Sequence, residues 1–183
     1  MRVIELLLLG IFLFAIGYAA LSNSSFLVSN ESMDGQRNFL KSSLELSSRG
    51  EAPELAGIAD WINTDPLTLE SLRGKVVLVD FWTYTCINCI RTFPHIKSWY
   101  EKYKDDGFVL LGIHSPEFEF EKDRGNVVEN AQENGLEYPI ALDNDHATWN
   151  AFQNRFWPAH YLLDVDGNIR FTHFGEGRYM ETE

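Results

Sequence analysis

Val76-Val77-Leu78-Val79-Asp80-Phe81-Trp82-Thr83-Tyr84-Thr85-Cys86-Ile87-Asn88-Cys89 is the stretch on which the fold turns. Its first seven residues are β-branched or apolar except Asp80, the composition of a strand buried on both faces. Such a strand needs helices to cover it. From Cys86 to about Tyr103, the residues Ile87, Ile90, Phe93, Ile96, Trp99, Tyr100 and Tyr103 recur at helical spacing, so strand passes to helix within a few residues. Phe108 to His114 has the composition of a second buried strand, which completes a βαβ unit and predicts an α/β domain.

The same stretch carries the chemistry. Cys86 falls at the start of the helix, where unpaired backbone N–H groups and the helix dipole stabilise a thiolate. Cys89 lies one turn on, close enough to attack a mixed disulfide formed on Cys86. That assigns nucleophile to Cys86 and resolver to Cys89. The bland alternatives are a reduced buried pair or half of a zinc site. Zinc wants about four ligands, and His114, His146, His160 and His173 are spread over separate elements without ligand spacing. Ile90 follows the pair where covalent haem attachment requires histidine. No cofactor is expected.

Outward from this centre, Leu55 to Ile62 and Leu67 to Leu69 read as short strands around the turn residues Asn63 to Pro66. On the C-terminal side, Glu119 to Asn134 reads as a helix ending at Gly135, Tyr138 to Leu142 as a strand, and His146 to Phe152 as a helix. His160 to Asp164 and Ile169 to Phe174 flank an Asp-Gly turn, a hairpin signal that makes the sheet mixed.

The N-terminus is a separate object. After Met1-Arg2, the run from Val3 to Leu21 is broken only by Glu5, Gly10 and Gly17, about the length a bilayer requires. Residues 1–21 are therefore expected to be a membrane anchor, with the domain on the extracytoplasmic (periplasmic) side, or a signal segment cleaved near Gly17-Tyr18-Ala19 and Ala20 to give a secreted protein. Residues 22–51, rich in Ser, Asn, Glu and Gly, read as a flexible linker. Residues 52–183 form the globular domain, and 183 residues with 45% hydrophobic content are enough for one core. A net charge of −12 without a basic cluster disfavours nucleic acid as a partner.

Over roughly Ala52 to Gly175 the chain resembles the thioredoxin superfamily. The resemblance is carried by Val79-Asp80-Phe81-Trp82 before the cysteines, by Pro94 in the first long helix, and by Trp157-Pro158 before the strand at His160. Within it, Phe81 to Cys89 with Arg91-Thr92-Phe93-Pro94 and His114-Ser115-Pro116-Glu117-Phe118 is similar to TlpA-like and DipZ-type membrane-anchored redoxin domains. That implies a thioredoxin-like fold, a mixed central sheet flanked by helices, with a TlpA-like insertion over Glu119 to Leu142. It also implies a cis peptide at Pro158, whose backbone would orient a bound substrate, and a buried carboxylate at Asp80 that serves Cys89 as proton acceptor; Asp80 also reads as an ordinary hydrogen-bonded strand-end carboxylate. Trp82, Trp157 and Glu117 become candidate substrate contacts, although the two tryptophans also read as core or rim aromatics and Glu117, followed by Glu119 and Glu121, as an ordinary solvated loop carboxylate. Ile87-Asn88 replaces the usual Gly-Pro between the cysteines, and the terminal helix that should follow Gly175-Glu176-Gly177 is expected to be missing, leaving a sheet face exposed.

The implied activity is thiol-disulfide exchange with exported thiol or disulfide proteins, as a reductant supplied by a membrane electron donor. Two alternatives belong to other classes. Thr83, three residues before Cys86, has the spacing of a peroxiredoxin-like thiol peroxidase site, though Val79 stands where proline is expected. A non-enzymatic metal-binding or adaptor module is the other.

Overall fold

The computed structural model describes residues 48–183. The expected anchor and most of the expected linker lie outside these residues. Strands β1 (Asp60–Ile62), β2 (Val76–Trp82), β3 (Phe108–His114), β4 (Ile140–Leu142), β5 (Ala159–Leu163) and β6 (Ile169–Phe174) form a single sheet in the order β1-β4-β3-β2-β5-β6. β2 pairs in parallel with β3 and antiparallel with β5, and β5 continues into the β6 hairpin, so the sheet is mixed. Helix α1 (Ile87–Tyr103) provides the crossover, followed by α2 (Arg124–Glu133), α3 (Ala147–Ala151) and the single turn α4 (Tyr179–Thr182). Among the described residues no helix is long and apolar enough to cross a membrane.

β2 is central because each of its faces has a layer to bury against. Leu78 and Trp82 pack with Cys89, Phe93 and Ile96 of α1, whereas Val77, Val79 and Phe81 pack with Leu111, Trp149, Phe152 and Tyr161. Burying one such side chain contributes about 1.5–3 kcal/mol. The bulk of Trp82 fits only because β3 carries Gly112 beside it. A Cβ there would stand 2.9 Å from the indole nitrogen and 3.0 Å from the Tyr138 ring.

Several expected elements are shorter, for local reasons. The first strand shrinks from Leu55–Ile62 to Asp60–Ile62. Leu67 to Leu69 is not a strand, since the Glu54 carboxylate takes the Leu69 and Glu70 N–H groups at 2.7 and 3.0 Å and a 3-10 turn follows. The helix expected over Glu119 to Asn134 is two pieces, a 3-10 turn at Glu119–Lys122 and then α2. Asp123 separates them, with an extended ψ of 117° and a side chain that caps Asn126 at 3.1 Å. The strand expected from Tyr138 begins only at Ile140, because Asn63 donates to the Leu136 and Tyr138 carbonyls at 2.8 and 3.0 Å and Pro139 has no N–H. Residues 49–51, placed in the linker by composition, already pair with the β5–β6 hairpin through Arg49, Gly50 and the Glu51–Asn168 bridge. Where the terminal helix was expected to be missing, α4 stacks Tyr179 on His95 of α1, with ring centroids 3.5 Å apart. Beside α4 lies an apolar groove of about 240 Å³ lined by Val76, Leu78, Trp99, Tyr103, Phe108 and Leu162.

Candidate functional site

The turn from β2 into α1 places both sulfurs. Cys86 is the N-cap of α1, with extended backbone (φ −74°, ψ 105°), and its sulfur accepts the Cys89 N–H at 3.3 Å. It is half-buried and Cys89 is fully buried, both as free thiols. A hydrogen bond from the Cys89 thiol holds the Cys86 thiol down at about 7, against the opposing effect of burial, with help from the Cys89 and Asn88 N–H groups. Glu117 raises it slightly by charge repulsion. Burial pushes the Cys89 thiol far up, and the neighbouring Asp80 charge adds to that. One sulfur is thus prepared to attack while the other keeps its proton until a base removes it.

Asp80 lies on the α1-facing side of β2, wholly buried, beneath Cys89. Its strand neighbour across β5 is His160, whose Nε2 is 3.2 Å from Asp80 Oδ1 but off hydrogen-bonding alignment. Pro158 follows a cis peptide at Trp157, and its carbonyl accepts the Gly175 N–H at 2.8 Å. Trp157 is half-buried and donates Nε1–H to the Ser115 carbonyl at 3.0 Å, while its ring lies 4.3 Å from that of Trp149. Asp143 braces both neighbours: it accepts the Ser115 hydroxyl at 3.1 Å and the Thr148 and Trp149 N–H groups at 3.0 and 2.8 Å.

One of the expected contacts needs revision. Trp82 is fully buried between Phe93 and His114, so it has no surface to offer a substrate and is a core residue. Glu117 is exposed as the solvated reading has it, but its near neighbour Glu121 is not solvated at all. Burial opposes the Glu121 charge. Hydrogen bonds from Thr85, the Phe118 N–H, Thr83 and the Glu117 N–H outweigh it and hold the carboxyl below its usual value. Glu121 therefore ties the Glu117–Phe118 loop to the residue next to Cys86. The Thr83 hydroxyl, whose spacing suggested a peroxidase, is buried and pairs with His114 Nε2 at 3.3 Å.

Sequence reasoning missed Glu121, His114, Tyr138 and Asp143 as parts of the site's frame. For Glu121 a signal existed: a carboxylate three residues after Phe118 can turn back onto its N–H, the capping-box pattern seen at this 3-10 turn. Among the described residues no group of three His, Cys, Asp or Glu side chains is arranged to hold a metal ion.

The comparisons with known proteins agree with this geometry. The pattern of the AhpC/TSA family matches residues 50–172. The chain is 54% identical over 142 residues to Protein DipZ of Mycobacterium tuberculosis, covering 76% of this chain and 20% of that protein. It therefore spans about a fifth of the length of DipZ. Thiol-disulfide oxidoreductase YkuV of Bacillus subtilis is 36% identical over 130 residues, covering 70% of this chain and 85% of YkuV. A thioredoxin-like protein solved in its oxidised form superposes with a TM-score of 0.68 at 33% identity, covering 76% of this chain and 93% of that one. With a thioredoxin-like fold, a Cys86-Cys89 pair at its helix N-terminus and these relatives, the chain belongs to the AhpC/TSA family, among the thiol-disulfide oxidoreductases of thioredoxin-like fold.

Proposed function

We propose that this domain reduces disulfides of exported proteins. The observation that carries the reading is the division of labour between the sulfurs: a half-buried Cys86 with a pKa near 7 beside a wholly buried, protonated Cys89. The Cys86 thiolate attacks one sulfur of the partner's disulfide; that S–S bond breaks, and the partner's other sulfur leaves as a thiolate. Asp80 then takes the Cys89 proton, and the Cys89 thiolate attacks Cys86. The Cys86–Cys89 disulfide forms as the partner's second sulfur departs. The partner has gained two electrons and the pair has lost them, so turnover requires a dithiol donor, which we place in the membrane.

In this reading the Trp157–Pro158 peptide orients the partner chain, and Trp157 and Glu117 form its rim. Residues 1–21 serve as anchor or signal, residues 22–48 as tether, and the domain works on the extracytoplasmic side. The test is a Cys89→Ser protein, which should accumulate a mixed disulfide through Cys86 with protein substrates, resolved on non-reducing gels and released by dithiothreitol. Failure of that variant to trap any partner, while a Cys86→Ser protein traps equally little, would remove the proposal.

A further inference from the structure

The buried polar cluster under the cysteines contains more than the exchange chemistry has used. Asp80 and His160 are 0% and 1% exposed, and neither finds a well-aligned hydrogen-bond partner, although His160 Nε2 stands 3.2 Å from Asp80 Oδ1. A buried polar side chain without a partner is costly, and a carboxylate more so. Two such groups facing each other across directly paired strand positions are each other's natural partners. Two further buried donors nearby also lack a partner, the Tyr138 hydroxyl and the Trp82 Nε1–H; what singles out His160 is its Nε2 at 3.2 Å from Asp80 Oδ1 on the directly paired strand position. Cys89 faces Asp80 from α1, Tyr138 faces it from the segment before β4, and β3 contributes only Gly112. On β6, His173 stacks against His160 with ring centroids 6.2 Å apart, and its own Nε2 is 3.1 Å from the Glu176 carbonyl.

We propose that His160 is the positioning residue for the resolving step: its Nε2–H donates to Asp80 Oδ1 and keeps that carboxylate aimed at Cys89. The inference rests on the exchange reading above and adds a residue to it. When Cys89 gives its proton to Asp80, the thiolate appears on Cys89 as the charge on Asp80 disappears, so the site's net charge is unchanged and no other co-reactant is needed. Without the donor nothing fixes the direction in which the carboxylate points, and the proton transfer from Cys89 loses its geometry. His160 acts through Asp80 and touches neither sulfur's partner.

The experiment uses 5,5′-dithiobis(2-nitrobenzoate) with the reduced full chain, since two releases of thionitrobenzoate separate the steps. The first release reports attack by Cys86 and the second reports attack by Cys89 on the mixed disulfide. For His160→Leu, the ratio of second to first rate at pH 7 should fall roughly tenfold or more, the loss of one hydrogen bond to a charged group. His160→Gln, which restores an N–H donor without a titrating ring, should recover most of the ratio. A His160→Leu protein with the wild-type ratio overturns the inference, as does a His160→Gln protein as impaired as His160→Leu. Nitrogen NMR of the wild-type protein gives a reading independent of any variant: the expected tautomer carries its proton on Nε2, and one protonated on Nδ1 overturns the assignment. A wild-type protein that shows no first release overturns the exchange reading itself, whereas a normal first release with an indifferent His160 overturns only this step.

Discussion

Iodoacetamide should label one thiol in the reduced protein, and the pH dependence of the rate should mark where Cys86 ionises. With its thiol held at about 7, Cys86 is half thiolate at pH 7. A thiol at the ordinary value of 9.0 would be only ~1% ionised there, so the reactive form is favoured ~50-fold. A less basic thiolate is also a weaker nucleophile, and a Brønsted slope of ~0.45 over that interval removes ~8-fold. The net expectation at pH 7 is a Cys86 rate ~6-fold above that of the same thiol in urea-unfolded protein, half-maximal near pH 7 and flat above about pH 8. The sign follows from the thiolate being the attacking form. Cys89, with no exposed surface and a thiol pushed up by burial, should stay unlabelled over the same time. Mass spectrometry after timed quenching reads both rates. A Cys86 rate that keeps climbing past pH 8.5, or labelling of Cys89 at a comparable rate, would refute the division of labour between the sulfurs.

Acid should destabilise the fold well above the usual carboxylate range because of His114. Burial lowers its pKa from 6.5 to about 4, so below pH 6.5 the unfolded chain binds a proton that the folded chain refuses until about pH 4. Stability from this residue is present above pH 6.5 and lost as the pH falls, by about 2 kcal/mol between pH 7 and pH 5. Urea unfolding at the two pH values should show that loss in the wild type and a much smaller one in His114→Gln; equal slopes would count against it. Asp143→Asn keeps the shape but leaves one oxygen for three donors, so it should cost about 2 kcal/mol in urea unfolding. A loss under about 0.5 kcal/mol would mean the brace beneath Trp157 is idle.

The parts of the structure legible in sequence were those set by periodicity and by turn chemistry. β2, α1 and β3 are read almost to the residue, since an unbroken apolar run and a helical repeat admit few other packings. The Asp164 to Asn168 hairpin follows from its Asp-Gly pair, and its Asp164 carboxylate accepts the Asp166 and Asn168 N–H groups. The cysteine placement at a helix N-cap was visible for the same reason. What stayed hidden depends on side chains that bond backward over several residues or across the sheet. Glu54 dissolves a strand at Leu67–Leu69 from 15 residues away in sequence. Glu121 looks like its exposed neighbours Glu117 and Glu119 until the chain folds back and surrounds it with donors. Trp82 stands next to the catalytic turn in sequence, yet strand alternation and the notch at Gly112 send its ring into the core.

The most direct test of the central claim is the reduction potential of the Cys86–Cys89 couple, obtained by equilibrating the protein in dithiothreitol or glutathione buffers. Intrinsic fluorescence can report it, because Trp82 shares an apolar cluster with Cys89. A reversible two-electron transition near ~−270 mV, abolished in Cys86→Ser, is the expected result for a reductant. A folded protein with no reversible couple would contradict thiol-disulfide exchange, and a couple near ~−120 mV would reverse the proposed direction of electron flow.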